Sequence, residues 1–197
     1  MNNYTPIIQP NKINHIFYLS AIARKKENRN IPIICTHGKS IIKPINIISI
    51  ADYINSNGYK YDIELLKLEI KKEGVEKWEN NKIIWRLYIS IDENKLDNNI
   101  NWEAFFSNRF IMELTRPQNK KTLNYLIDID TKDESLINFI KYSLNAMNIK
   151  ILYQSPTPNG YHIVTPPNQK INFLIRNYRD IIHIISNAIL FLEYIHP

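Results

Sequence analysis

Apolar positions along this chain alternate between a period near two and a period near 3.6, and the switches outline mixed strand and helix. Residues 83–91, Ile-Ile-Trp-Arg-Leu-Tyr-Ile-Ser-Ile, predict a strand, and 123–129 predict another. Residues 134–147 place Leu136, Phe139, Ile140 and Leu144 on one helical face. A strand is expected over 150–153, a loop over 154–160, and a strand over 161–165 that ends at Pro166-Pro167. Residues 102–114 carry Trp102, Phe105, Phe106, Phe110 and Leu114 near helical spacing, an aromatic stripe of the kind that builds a core. Residues 181–185 and 188–192 read as a strand pair around Ser186-Asn187.

The first eighty residues carry mixed signals. Ile13, Ile16, Phe17 and Ser20 through Ala23 fit a short helix. Arg24-Lys25-Lys26-Glu27-Asn28-Arg29-Asn30 then reads as an exposed polar turn, with a phosphate-binding patch as the alternative. A strand is expected over 31–35, and an apolar run over 41–50 is interrupted by Pro44. Ser49 before Ile50-Ala51-Asp52 marks a helix start, and Asn57-Gly58 marks its close. Over 61–72, alternation and helical spacing compete among Ile63, Leu65, Leu66, Leu68 and Ile70. Arg116-Pro117 opens a basic loop that runs to Lys121. The order of elements predicts an α+β or α/β domain with a partly antiparallel sheet rather than a barrel or bundle.

Length and composition narrow the function classes. A chain of 197 residues with 44% hydrophobic and 22% charged residues suits one domain, or one with a small appendage. The single cysteine, Cys35, excludes an intrachain disulfide and a Cys-based zinc site, so a reducing cytoplasm is the expected setting. Residues 1–10 lack the apolar core of a signal peptide, and no apolar run reaches membrane-spanning length. No membrane association is expected. A net charge of +6 suits a polyanionic partner, either nucleic acid or a nucleoside triphosphate.

The candidate chemistry sits in 125–167. In Tyr125-Leu126-Ile127-Asp128-Ile129-Asp130, residues two apart share a face, so Asp128 and Asp130 project together from an apolar strand. Paired carboxylates repel unless a cation lies between them, and Mg²⁺ or Mn²⁺ is the simplest such cation. The alternative is that Asp130 only caps the following turn. Asp133 reads as the N-cap of the next helix. Ser155-Pro156-Thr157-Pro158-Asn159-Gly160-Tyr161-His162 follows: two prolines stiffen the loop, and Asn-Gly allows a tight turn with positive φ. His162 then begins a strand, placed to hydrogen-bond a phosphate or to contact Asp130.

A hydrophobic-Asp-hydrophobic-Asp strand, a helix, a strand, and then a small residue two before a strand-borne His resembles the archaeo-eukaryotic primase (primase-polymerase) superfamily. In particular it resembles small phage-encoded proteins of primase-like type, on "DIDTKDE" and "TPNGYHIVTPP". The resemblance spans about 83–192. It implies an RRM-like primase-polymerase catalytic core: an α+β fold with a mixed, largely antiparallel sheet and flanking helices. That core would occupy 83–197, with 1–82 as an additional N-terminal α/β portion. It implies that Asp128 and Asp130 hold Mg²⁺ or Mn²⁺ and that His162 contacts the phosphates of an incoming nucleotide.

Ser155, Thr157, Asn159, Lys132 and Arg86 are the candidate nucleotide or nucleic-acid contacts, with Arg109 as a further basic candidate. One departure stands out. The third acid expected on a later strand falls in Asp180-Ile181-Ile182-His183-Ile184, where Ile182 or His183 occupies its place; Asp180 or Glu193 are the substitutes. Three functions follow. The first is a nucleotidyltransferase using nucleoside triphosphates and single-stranded nucleic acid. The second is a non-catalytic binding protein for nucleotide, nucleic acid or a replication partner. The third is a metal-dependent nuclease.

Overall fold

The computed structural model describes residues 16–29, 39–47, 49–72, 83–94 and 120–195. Among these, two four-stranded antiparallel sheets make an α+β fold. The first sheet contains β1 (Ile16–Ala23), β2 (Lys39–Asn46), β3 (Trp85–Ser90) and β8 (Ile189–Ile195), in the order β2-β1-β3-β8. It therefore takes two strands from each side of residue 82. β2 lies at the edge, which accommodates Pro44 and its missing N–H.

Of the helix expected from Ile13 to Ala23, the described part, Ile16–Ala23, is instead β1. Its alternation is decisive: Leu19, Ala21 and Ala23 are fully buried on one face, beside Leu87 and Ile89 of β3. α1 (Ile50–Ile54) starts where expected, with Ser49 as its N-cap. Its C-cap, however, is Asn55, and Asn57-Gly58 opens α2 (Asn57–Lys72) instead of closing α1. The Ser56 hydroxyl accepts from the Tyr59 N–H at 3.4 Å and so stabilises that start. In α2, helical spacing wins over alternation because Ile63, Leu66 and Ile70 form one stripe buried on the first sheet. The strand expected over 31–35 and the aromatic helix over 102–114, with Arg109, lie outside the described residues.

The second sheet contains β4 (Tyr125–Ile129), β5 (Tyr153–Pro156), β6 (Tyr161–Thr165) and β7 (Ile182–Ser186), in the order β5-β6-β4-β7. α3 (Glu134–Ala146) joins β4 to β5, and α4 (Lys170–Leu174) with a short 3-10 turn joins β6 to β7. This is the β-α-β-β-α-β order of ferredoxin-like sheets. Ile127, Ile129, Ile163 and Ile182 face the helices, packing on Ile137, Ile140, Leu144 and Ile171. The helix face therefore centres on Ile137, while Phe139 is left about half exposed.

Three boundaries differ from expectation. The strand expected over 150–153 begins only at Tyr153 and takes in half of the expected loop, leaving Thr157–Gly160 as the turn between β5 and β6. The expected hairpin of the last two strands does not form. β7 pairs with β4 in the second sheet, and β8 pairs with β3 in the first. Asn187, between them, has φ 53, the left-handed region that Asn tolerates better than most residues. Finally, neither Asn159 nor Gly160 has positive φ, so the Asn-Gly turn is not the left-handed turn expected. Gly160 is required for space instead.

Candidate nucleotide-binding cleft

β4 is an inner strand of the second sheet, between β6 and β7, and this decides what surrounds Asp128. In β6, His162 lies directly opposite Asp128; in β7, His183 lies opposite it on the other side. Ser155 of β5 lies opposite His162. Directly opposed residues on neighbouring antiparallel strands point to the same face, with Cβ atoms about 5 Å apart. Ser155, His162, Asp128 and His183 thus form one polar row across all four strands. The row lies on the face turned away from α3 and α4.

His162 and Asp128 are joined in the row, with Nε2 of His162 3.2 Å from Oδ1 of Asp128. His162 is 9% exposed, and its Nδ1 has no hydrogen-bond partner among the described residues. The contact expected between His162 and Asp130 is absent because register gives His162 to Asp128. Asp130 instead has His183 nearby, with Nε2 3.7 Å from its Oδ2, and both side chains are about half exposed. Its backbone N–H donates to the Ile181 carbonyl at 2.8 Å, extending the β4–β7 pairing by one residue. Asp133 caps α3 as expected, accepting from Ser135 N–H at 2.9 Å and Leu136 N–H at 3.4 Å.

The Thr157–Gly160 turn closes one end of the row. Thr157 N–H donates to the Gly160 carbonyl at 2.9 Å, and Gly160 N–H donates to the Thr157 hydroxyl at 2.9 Å. A Cβ on Gly160 would fall 1.8 Å from the Ile129 carbonyl oxygen and 3.0 Å from Thr131 N. Only glycine lets the turn lie against the backbone on both sides of Asp130.

The middle of the row, Asp128 and His162, faces a cleft of about 470 Å³ between the sheets, within the range of small-molecule sites; Ser155 and His183, at the row's two ends, do not line it. Asp128, Asp130, His162, Thr157 and Asn159 line it. The opposite wall brings Arg86 and Tyr88 from β3, Phe191 from β8, and Arg24 and Lys26 from the turn after β1. That turn, read from sequence as solvated, is held in place by Asn28. The Asn28 amide donates to the carbonyls of Arg24 and Ile84, both at 2.9 Å, and its oxygen accepts from Ile84 N–H at 2.9 Å. Asn28→Ala should cost about 2 kcal/mol in urea denaturation. The same change removes the anchor that holds Arg24 and Lys26 at the cleft wall.

The structure distributes the remaining candidates unevenly. Arg86 lines the cleft but is paired with Glu27 and lies over the rings of Tyr194 and Phe191, at 5.4 and 5.8 Å. Burial opposes its charge, yet Tyr88, Glu27 and Tyr194 together raise its pKa. Lys132 lies elsewhere, in a separate groove with Lys141, Asn138 and Tyr161 on the other side of the turn. Thr157 lines both. Neither substitute acid lines the cleft: Glu193 accepts from the Tyr59 hydroxyl at 2.9 Å on the first sheet, and Asp180 precedes β7.

From sequence, Arg24 and Lys26 belong to a turn whose alternative reading is a phosphate-binding patch, and His183 is one of two residues in the place of the expected third acid. For His183 a signal existed: Ile182 and Ile184 alternate around it, which turns it away from the core. For Arg24 and Lys26 the local signal is the basic run itself, but a distant contact between Asn28 and Ile84 places their turn.

Among the described residues, no three His, Cys, Asp or Glu side chains converge on one point. Two carboxylates on one face nevertheless suit a hard cation that also takes phosphate oxygens and water, so the donor set fits Mg²⁺ or Mn²⁺. No described helix is long and apolar enough to cross a membrane. No protein-family model, curated protein or solved structure matches the chain.

Proposed function

We propose that this protein is a metal-dependent nucleotidyltransferase of primase/polymerase type. It would join nucleoside triphosphates on single-stranded nucleic acid. The observation that carries the reading is the facing of two walls: Asp128 and Asp130 beside His162 on one sheet, and Arg24 and Lys26 across the cleft. A triphosphate needs positive charge along its tail and carboxylate-held cations at its reacting phosphate.

In this reading Asp128 and Asp130 hold the divalent ion, Mg²⁺ or Mn²⁺, which neutralises phosphate charge and favours loss of the attacking hydroxyl's proton. His162, fixed by Asp128 and by burial, donates to a phosphate oxygen. Arg24 and Lys26 attract the tail. The Thr157–Gly160 turn sets the cleft's end and offers Asn159 to sugar or base. Arg86, already paired with Glu27, shapes the wall more than it binds phosphate.

The test is incorporation of labelled nucleotides on a single-stranded template with Mn²⁺ or Mg²⁺. Product should fall about 10³-fold in Asp128→Ala and Asp130→Ala, the equivalent of several kcal/mol of lost transition-state stabilisation. A second reading has its own support. With His183 where a third acid is expected, the same cleft could serve a protein that binds nucleotide or nucleic acid without turnover. No product, with nucleotide still bound and displaced by Asp128→Ala, selects that reading. Shortened template would instead indicate a nuclease.

A further inference from the structure

We infer that a single strand of nucleic acid lies in the groove between α3 and the Thr157–Gly160 turn, with its phosphates on Lys132 and Lys141 and a base on Tyr142. The inference deepens the proposed function by giving the strand a path, and it rests on that reading for where the path ends.

The groove, of about 480 Å³, lies across the turn from the cleft. Lys132, just before α3, and Glu134, Asn138 and Lys141 of α3 line it, together with Thr157 and Tyr161. Helical spacing puts the α3 residues there. Ile137, Ile140 and Leu144 take the buried stripe, which leaves Glu134, Asn138 and Lys141 in a row along its edge. The Lys141 Nζ lies 4.0 Å from the centre of the Tyr161 ring, so a cation–π contact holds this ammonium at the groove. Among the described residues, neither Lys132 nor Lys141 forms an ion pair, and both charges remain available to an anion.

The lining favours a strand over a free anion. Glu134 in the same groove would repel an isolated phosphate, whereas a nucleotide unit also brings base N–H donors that its carboxylate and the Asn138 oxygen can accept. Tyr142 lies one helical turn beyond Asn138 on the same side of α3 and is 75% exposed, which leaves its ring free to stack. An exposed ring beside lysines is the platform on which unpaired bases rest, and a duplex offers it no open base face.

Only a ridge of backbone separates the groove from the cleft. Thr157 lines both cavities. Asp130 lines the cleft, and Lys132, two residues on, lines the groove. Gly160 packs on the segment between them, since its absent Cβ would meet the Ile129 carbonyl and the Thr131 nitrogen. Filling both cavities means crossing that ridge, which calls for linked nucleotides rather than one.

The experiment titrates the full chain with a fluorescein-labelled single-stranded oligothymidylate at several salt concentrations, read by anisotropy. A fluorescent ATP analogue with Mn²⁺ is titrated separately. Lys132→Ala with Lys141→Ala should reduce the slope of log affinity against log salt by about 1.4, from two lost phosphate contacts at about 0.7 each. Lys132→Arg with Lys141→Arg should keep the slope. Tyr142→Ala should weaken strand binding about tenfold at an unchanged slope. Binding of the ATP analogue should persist in all three variants. None of these side chains is buried, so unchanged urea midpoints should show that the variants fold.

An unchanged slope in the double alanine variant overturns the inference, as does full strand binding without the Tyr142 ring. Polyglutamate that competes as well as the oligonucleotide at equal charge also overturns it, because the groove would then take acidic chains in general. So does loss of ATP-analogue binding together with strand binding in the double alanine variant, because groove and cleft would be one site. Strand binding as expected, with no ATP analogue bound by the unaltered chain, supports the groove and removes the proposed reaction.

Discussion

Gly160→Ala should lower stability by about 3 kcal/mol and loosen the cleft at the same time. The new methyl would fall 1.8 Å from the Ile129 carbonyl oxygen, and that oxygen is backbone in a central strand. It cannot turn aside as a flexible side chain can, so either the Thr157–Gly160 turn lifts or the end of β4 moves. Overpacking of a well-packed region costs about 1–3 kcal/mol, and backbone on both sides puts this position at the upper end. Urea denaturation should show a lower midpoint at unchanged slope. In the proposed reading, nucleotide binding weakens in parallel, because Thr157 and Asn159 move from the cleft they share with Asp130. A midpoint equal to that of the unaltered chain would show that the turn does not rest on β4.

Asp92→Ala should be at least as costly, about 3–5 kcal/mol by the same measurement. Asp92 is fully buried just after β3, and its Oδ1 accepts the Asn124 N–H at 2.6 Å. Lys120, also buried, is its nearby counter-charge and lies 5.3 Å from the centre of the Tyr18 ring. Burial raises the Asp92 carboxyl, with Asn124 and Lys120 opposing, and burial lowers Lys120, with Asp92 opposing. Burial and Asp92 together push the Tyr18 hydroxyl up to about 12. Removing Asp92 strands an ammonium in the interior. Asp92→Ala with Lys120→Met should recover much of the loss, and a double-mutant cycle should give a coupling well above zero.

The pH dependence has a definite sign. The folded chain holds the Asp92 proton more tightly than the unfolded chain. This group's contribution to stability therefore falls as pH rises from the ordinary carboxylate value to the raised one. That slope should vanish in Asp92→Asn.

The second sheet was legible in the sequence because each of its signals is local. Alternation in β4 and β6, the Asp133 cap and the helical stripe of α3 all lie within a few residues of the element they specify. The Asp pair and the turn before His162 were legible for the same reason. What could not be read locally was pairing. His162 was expected near Asp130, yet a two-residue difference in register gives it to Asp128. β7 and β8 look like a hairpin, because Ser186-Asn187 is a good turn and nothing nearby shows that β3 is waiting for the second strand.

β1 was obscured because Ile22, Ala21 and Ser20 suit either period; pairing with β2 and β3 decided it. The basic turn 24–29 became part of the site only through Asn28 and Ile84, which are far apart in sequence. Primase-type chemistry remains a proposal resting on the Asp pair, His162 and the basic wall.

The crossing at Asn187 also bears on how the protein is made. The stretch carrying β4 to β7 is continuous, so it can fold as soon as it leaves the ribosome. The first sheet cannot, because β8, the partner of one side of β3, is translated after everything else in both sheets. Until then β3 presents an open edge beside Trp85, Leu87 and Ile89, all fully buried in the finished fold. Such an edge invites pairing with a neighbouring nascent chain. The period between synthesis of β3 and arrival of β8 is thus when this protein is most exposed to aggregation.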